Sequence, residues 1–446
     1  MIPSLPLFRE TLRGIIEWKE KQGHVIDGLA DEAAALPDSY DAMVEMGRRL
    51  TCLPMRDDWR FVEPNSLEEI LAECDPDRPV EPMEKVDAAA IAPRVESAFL
   101  SSVCGCILGK PLEVNPTLDE IRKAAEASGD WPINDYISED MLAALGRRGD
   151  WLATTKGRIS AVAPDDDINY TIMGMLLLEE FGADFTKQNI ANRWLRNLPP
   201  GWCFGPERTT IIKAAIRSLG KKDAVEKDPF EDWAEFLNPG DEYCGALIRA
   251  DAYGYACPGH PALAAELAWR DASFTHRRTG IYGTMFTAAA IAAAFVVKDP
   301  LEIFRIAAMY VPRRSRFHEV VVDSIAMVEK AGDWLEGYRL VHDKYQEYGH
   351  CLIYQEIGTM INTLRFAEDI GDGICKQVSQ GNDTDSFGCT CGSILGAFFG
   401  PGKLDPRWLA PFNDTIHTSL ATFHEQRLSA VARRMGQLPS GVPGGS

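Results

Sequence analysis

Apolar residues recur along most of this chain with a helical period rather than by strict alternation. Between Ile168 and Glu179 they fall at Ile168, Ile172, Met175 and Leu176, with Glu179 and Glu180 marking a solvated end. The stretches Met285–Val297 and Val320–Trp334 follow the same spacing, and few segments alternate with period two. The pattern predicts an all-α protein. The longest apolar run, Ala288–Val297, is bounded by Thr287 and Lys298. It is far short of the roughly 20 residues that a membrane crossing requires, so it reads as a buried helix.

The pattern also divides the chain. Residues 1–90 are charged and broken by proline, as in Leu53-Pro-Met-Arg-Asp-Asp-Trp59 and Asp75-Pro-Asp-Arg-Pro79, which predicts an N-terminal extension packed on a core. Residues 91–435 are helices rich in Ala, Leu and Ile joined by Gly/Pro turns. Residues 436–446 contain few hydrophobes and are expected to be a disordered tail.

Composition narrows the function. In 446 residues, 66 acidic side chains oppose 46 basic ones, a net charge of −20. That balance disfavours attraction to a nucleic-acid backbone and suits cation binding. The N-terminus has no basic segment followed by an apolar one, so a cytoplasmic location and no membrane partner are expected. The eleven cysteines are scattered without a CxxC pair. Cys104/Cys106 and Cys389/Cys391 sit in small-residue stretches and read as small buried hydrophobes, not as a zinc site or a disulfide framework.

Two aspartate clusters carry the candidate chemistry. Asp165, Asp166 and Asp167 lead directly into the helix starting near Ile168. A helix N-terminus favours one or two carboxylates through capping and its dipole, by about 0.5–2 kcal/mol for a good cap, which leaves the third to be explained. The second cluster, Gly381-Asn-Asp383-Thr384-Asp385-Ser386, precedes a small-residue helix in which Gly388, Gly392 and Gly396 recur every fourth position. Those glycines share one face and permit close approach of another helix. Carboxylates and hydroxyls at two convergent helix starts make a hard-oxygen ligand set of the kind Mg²⁺ and Mn²⁺ take. Taken singly, each cluster reads equally well as a cap and turn.

With these clusters and three further motifs, the sequence resembles the ADP-ribosylglycohydrolase family from about residue 95 to 425. Gly105-Cys-Ile-Leu-Gly109-Lys-Pro111-Leu-Glu113 is similar to the family's GDALGxPxE, Asp165–Asp167 to its TDD, and Gly381–Ser386 to its GxDTDT. Gly245-Ala-Leu-Ile-Arg249 resembles the family's glycine-containing substrate loop, and Ser273-Phe-Thr275-His276 its Ser/Thr-His segment. The resemblance implies an orthogonal all-α helical bundle with two Mg²⁺ ions, Mn²⁺ in some members. It implies Asp165, Asp166, Asp167, Asp383, Asp385 and Ser386 as ligands. Catalytic roles then fall to Glu113, Asp166, Asp167 and Asp383.

Three positions depart from the family pattern. Asp165 stands at a customary Thr, so the first motif registers either as Asp165–Asp167 or as Pro164–Asp166; Cys106 replaces an Asp, and Ser386 a Thr. For substrate, the resemblance points to Gly245, Arg249 and His276. Gly280, Tyr282 and Gly283 open a helix whose N–H groups suit a pyrophosphate. The plainer readings are an ordinary glycine turn, a core Tyr282, and an Arg249–Asp251 ion pair. The expected activity is metal-dependent cleavage of a ribosyl C1 bond on an ADP-ribosylated protein or a ribosylated small molecule. Hydrolysis of a small N-ribosyl metabolite and a non-catalytic ADP-ribose-binding role are the alternatives.

Overall fold

A computed structural model describes residues 4–113, 116–147, 151–218 and 233–442. Among them every regular element is a helix, accompanied by isolated β-bridges such as Thr117–Gly381. The architecture is the all-α one that the periodicity predicts.

At its centre, helix Ala88–Gly109 lies against helix Thr384–Phe399. The glycine ladder explains how close they come. A Cβ on Gly105 would stand 2.0 Å from the carbonyl oxygen of Gly388, and one on Gly392 2.4 Å from that of Ser101. Backbone meets backbone along the whole seam, so the two helices are fixed in register and depth. Helix Ala88–Gly109, with the turn to Leu112, is long and apolar enough to span a membrane by composition, but most of it is buried in this core. Helix Thr279–Ala294 is buried on every side, which accounts for its lack of a polar face.

Expected boundaries move where capping residues decide them. The helix anticipated over 168–179 spans Asp166–Phe181, because the Asp165 side chain accepts the Asp167 N–H at 2.9 Å and starts it earlier. The one anticipated over 320–334 spans Arg316–Lys330. Ser315 caps its start, and Asp333 caps a separate helix, Trp334–Tyr345.

Helices Leu5–Lys21, Leu29–Ala35 and Tyr40–Thr51 share a small core of Phe8, Leu12, Ile15, Met43 and Leu50. The extension is tied to the rest by buried and half-buried polar contacts. Trp18 Nε1 and Gln22 Nε2 donate to Asp241 Oδ1 at 2.7 and 2.6 Å, and the Arg278 N–H donates to Asn65 Oδ1 at 2.8 Å. The expected disordered tail needs correction as far as Val442. Helix Leu428–Gln437 runs into a 3-10 turn at Leu438–Gly441, and Leu438, Pro439 and Val442 are buried, hydrophobe enough to anchor the segment. Residues 443–446 lie outside the described residues.

Candidate metal centre

Three chain segments deliver carboxylates to one place. The first is the C-terminus of helix Ala88–Gly109, where the turn Lys110–Leu112 leads to Glu113. The second is the start of helix Asp166–Phe181. The third is the start of helix Thr384–Phe399, entered through Gly381 and Asn382, both with positive φ (83° and 62°). A Cβ on Gly381 would lie 2.0 Å from the Pro116 carbonyl oxygen, so only glycine fits that turn. The Thr384 hydroxyl donates to the Gly109 carbonyl at 2.8 Å, and the backbones touch there, which locks the third segment onto the first.

Lys110 shows the convergence. Its Nζ contacts Asp165 Oδ2, lies 3.4 Å from Asp385 Oδ2 and 3.7 Å from Glu113 Oε2, and sits 4.2 Å from the centre of the Trp151 ring. Ser386 Oγ donates to Asp167 Oδ2 at 3.4 Å, joining the two aspartate clusters directly. Residues more than two hundred positions apart therefore share one buried anionic group.

Among the described residues, one ammonium does not balance this many carboxylates. Burial, then Asp165 and Asp385, pushes the Asp166 carboxyl well above the usual carboxylate range. Burial and Asp165 do the same to Asp167, and burial and Cys351 to Asp383. Glu113 is pushed up to about 8, by burial first and then by Asp385. Asp385 is also raised, through burial, although Lys110 opposes the shift. Asp165 behaves differently: burial would raise it, but Lys110 and the Asp167 N–H hold it below its ordinary value.

Oδ1 of Asp167 and Oδ1 of Asp385 are buried without a hydrogen-bond partner among the described residues. Excess negative charge, unused hard-oxygen donors and a hydroxyl beside them fit divalent cations.

Several neighbours are not among the expected ligands, including Cys106, which the sequence reads as a small buried hydrophobe. Lys110 was only a variable position within a motif. Cys106 has its thiol grouped with the carboxylates of Asp165 and Asp167, and Cys244 and Cys351 with that of Asp383. Glu356 is buried nearby with neither carboxylate oxygen hydrogen-bonded among the described residues, and burial pushes it up to about 8. Cys244 stands immediately before the Gly245–Arg249 motif, a position that would have flagged it.

The expected substrate residues are placed differently from the ligands. Gly245 borders the centre through Cys244, and a Cβ on it would meet the Glu207 carboxylate at 2.5 Å. Arg249 is buried and pairs with Glu207 and Asp271, while Asp251 accepts from Ser393 Oγ at 2.8 Å, so the anticipated Arg249–Asp251 pair does not form. Burial of both acids makes Arg249 their counter-ion. His276 is fully buried, with Nδ1 2.7 Å from Thr275 Oγ1. Tyr282 is in the core and donates its hydroxyl to the Pro64 carbonyl. A Cβ on Gly280 would meet His276 at 2.9 Å, and one on Gly283 would meet Ile353 at 2.5 Å. These two glycines serve close packing at the start of helix Thr279–Ala294.

A sequence profile of a family described as ADP-ribosylglycohydrolase matches residues 87–438. No curated protein matches the chain.

Proposed function

The chain belongs to the ADP-ribosylglycohydrolase family, a family of metal-dependent glycohydrolases, and on that premise we propose that it hydrolyses a ribosyl C1 bond with two divalent ions, Mg²⁺ or Mn²⁺. Asp165, Asp166, Asp167, Asp383, Asp385 and Ser386 hold them. The observation that carries this reading is the convergence of Glu113, Asp165 and Asp385 on one point, where Lys110 Nζ touches all three.

Cleavage at a ribosyl C1 passes through an oxocarbenium-like state, so the leaving group and an attacking water must be held on opposite faces of the sugar. The chemistry that divalent cations supply when bound is orientation of a ribose diol and a lowered water pKa. Asp166 is partly exposed, which suits a ligand facing the substrate side. Of the two candidates for proton transfer, Glu113 is the better placed. Its side chain is 32% exposed, whereas Asp167 is sealed in. Without bound cations burial and Asp385 raise its carboxyl to about 8, so divalent charge arriving beside it would favour release of its proton.

The substrate is an ADP-ribosylated protein or a ribosylated small molecule. The assay offers ADP-ribosylated protein, ADP-ribosyl-arginine, NAD and ribonucleosides, each with Mg²⁺ and with chelator. Product that requires Mg²⁺ and vanishes in Asp383→Ala and Asp385→Ala, with helical circular dichroism retained, is expected. Release from nucleosides alone would assign a small N-ribosyl metabolite. No product from any of the four would leave ADP-ribose binding as the function.

A further inference from the structure

One set of donors at this centre differs in kind from the carboxylates. Cys244 lies just before the turn Leu247–Arg249, and Cys351 just before helix Tyr354–Phe366. The Cys244 N–H donates to the Cys351 carbonyl at 2.8 Å, which ties the two segments together. Both thiols then point at the same atom: Cys244 Sγ is 3.3 Å and Cys351 Sγ 3.8 Å from Asp383 Oδ2. One ligand atom from each of the three residues lies within 4.8 Å of the other two.

The backbone is shaped to hold this arrangement. Cys351 and Ile353 both have positive φ (69° and 48°), which is unfavourable for any side chain and for a β-branched one especially. Neither is glycine, so packing holds the loop in the conformation that aims the thiol inward. Glu356 adds an independent sign of a cation site, because both its oxygens are buried beside this group and neither has a hydrogen-bond partner among the described residues.

The dimensions match a tetrahedral ion. With metal–sulfur bonds of about 2.3 Å and metal–oxygen bonds of about 2.1 Å, a tetrahedral site places sulfur and oxygen about 3.6 Å apart. The two observed separations bracket that value. Two sulfurs and one carboxylate are three protein ligands, the number that leaves a fourth position open. Thiolates select zinc-like cations over magnesium, which prefers hard oxygen.

We propose that Cys244, Cys351 and Asp383 bind one thiophilic divalent cation of the zinc class. At the Asp383 side of the centre this ion then takes the place of one of the two Mg²⁺ or Mn²⁺ ions, and the oxygen side formed by Asp165–Asp167 and Asp385 keeps the other. Each thiol gives its proton to the buffer as it binds. The proposal deepens the reading of the same centre and rests on its carboxylates, not on turnover of any substrate.

The test uses the full chain, stripped of metal under reducing conditions and titrated with Co²⁺ as a spectroscopic substitute for Zn²⁺. A thiolate-to-cobalt charge-transfer band should saturate at one equivalent, be displaced by Zn²⁺ and be untouched by excess Mg²⁺. Cys244→Ser and Cys351→Ser should each abolish the band and weaken Zn²⁺ binding by at least about tenfold. Cys52→Ser, at an exposed cysteine, should leave both unchanged. Absence of the band, or its survival in both site variants, overturns the proposal.

Because a serine variant can fail to fold, a second measurement uses the unmodified protein. Zn²⁺ but not Mg²⁺ should protect Cys351 from alkylation, read by peptide mass spectrometry, and equal labelling with either ion overturns the proposal. Mg²⁺-dependent hydrolysis is measured separately. Its absence would sink the hydrolase reading and leave the cobalt result standing.

Discussion

Replacing Lys110 by Met removes an ammonium shared by Asp165, Asp385 and Glu113 while keeping most of the side-chain volume. Both Lys110 and Asp165 are shielded from water, with side-chain exposures of 4% and 0%. Removing one partner of a buried ion pair costs about 3–5 kcal/mol, because the remaining charge has no compensation. Protonation of the abandoned carboxylates caps the loss, so the cost should be larger at pH 8 than at pH 6. A cation that binds only the folded chain restores stability by RT ln(1 + [L]/Kd), about 2.7 kcal/mol at one hundred times Kd.

The variant should gain more from Mg²⁺ than the unmodified protein does, since the ammonium no longer repels the ion. Urea unfolding followed by circular dichroism, at both pH values and with either EDTA or Mg²⁺, measures all of these terms. An unchanged midpoint in EDTA at pH 8 would refute the reasoning. So would an equal gain from Mg²⁺ in the two proteins.

Further outcomes are expected from pH and from substitutions elsewhere. Glu113 and Glu356 rise from an ordinary value of 4.5 to about 8, so the folded state holds protons that the unfolded chain releases. The metal-free protein should therefore lose stability as pH climbs from about 5 to 8, and a midpoint that rises across this window would contradict the assignment. Gly105→Ala drives a Cβ to 2.0 Å from the Gly388 carbonyl oxygen, rigid backbone on both sides, and should cost about 3 kcal/mol or more by chemical denaturation. Gly14→Ala, where a Cβ meets nothing within 4 Å inside a helix, should instead add about 0.5–1 kcal/mol. Arg249→Met strands Glu207 and Asp271 and should lower stability by about 3–5 kcal/mol. Adding Glu207→Gln should recover part of that loss in a double-mutant comparison, and strict additivity would show that the pair is not coupled.

What the chain encodes locally was legible without coordinates. The Asp165 cap, the helix that follows it, and the Gly388, Gly392 and Gly396 face depend on residues within a few positions of one another, and short-range geometry governs them. The ligand candidates Asp165–Asp167 and Asp383–Ser386 were visible for the same reason, because each occupies a helix start. Lys110 shows the limit. Nothing within its motif says that its side chain ends between Asp165 and Asp385, which arrive from helices 55 and 275 positions further along. Cys244 and Cys351 acquire metal-like spacing only through a backbone hydrogen bond between distant loops. Arg249 found Glu207 and Asp271 in the packed interior, not its neighbour Asp251. Leu438 and Val442 became anchors because a hydrophobic surface was there to receive them. Sequence alone settled which groups can ligate, cap or pack closely; tertiary burial decided which of them meet, because desolvation and through-space charge act between side chains whose separation along the chain carries no information.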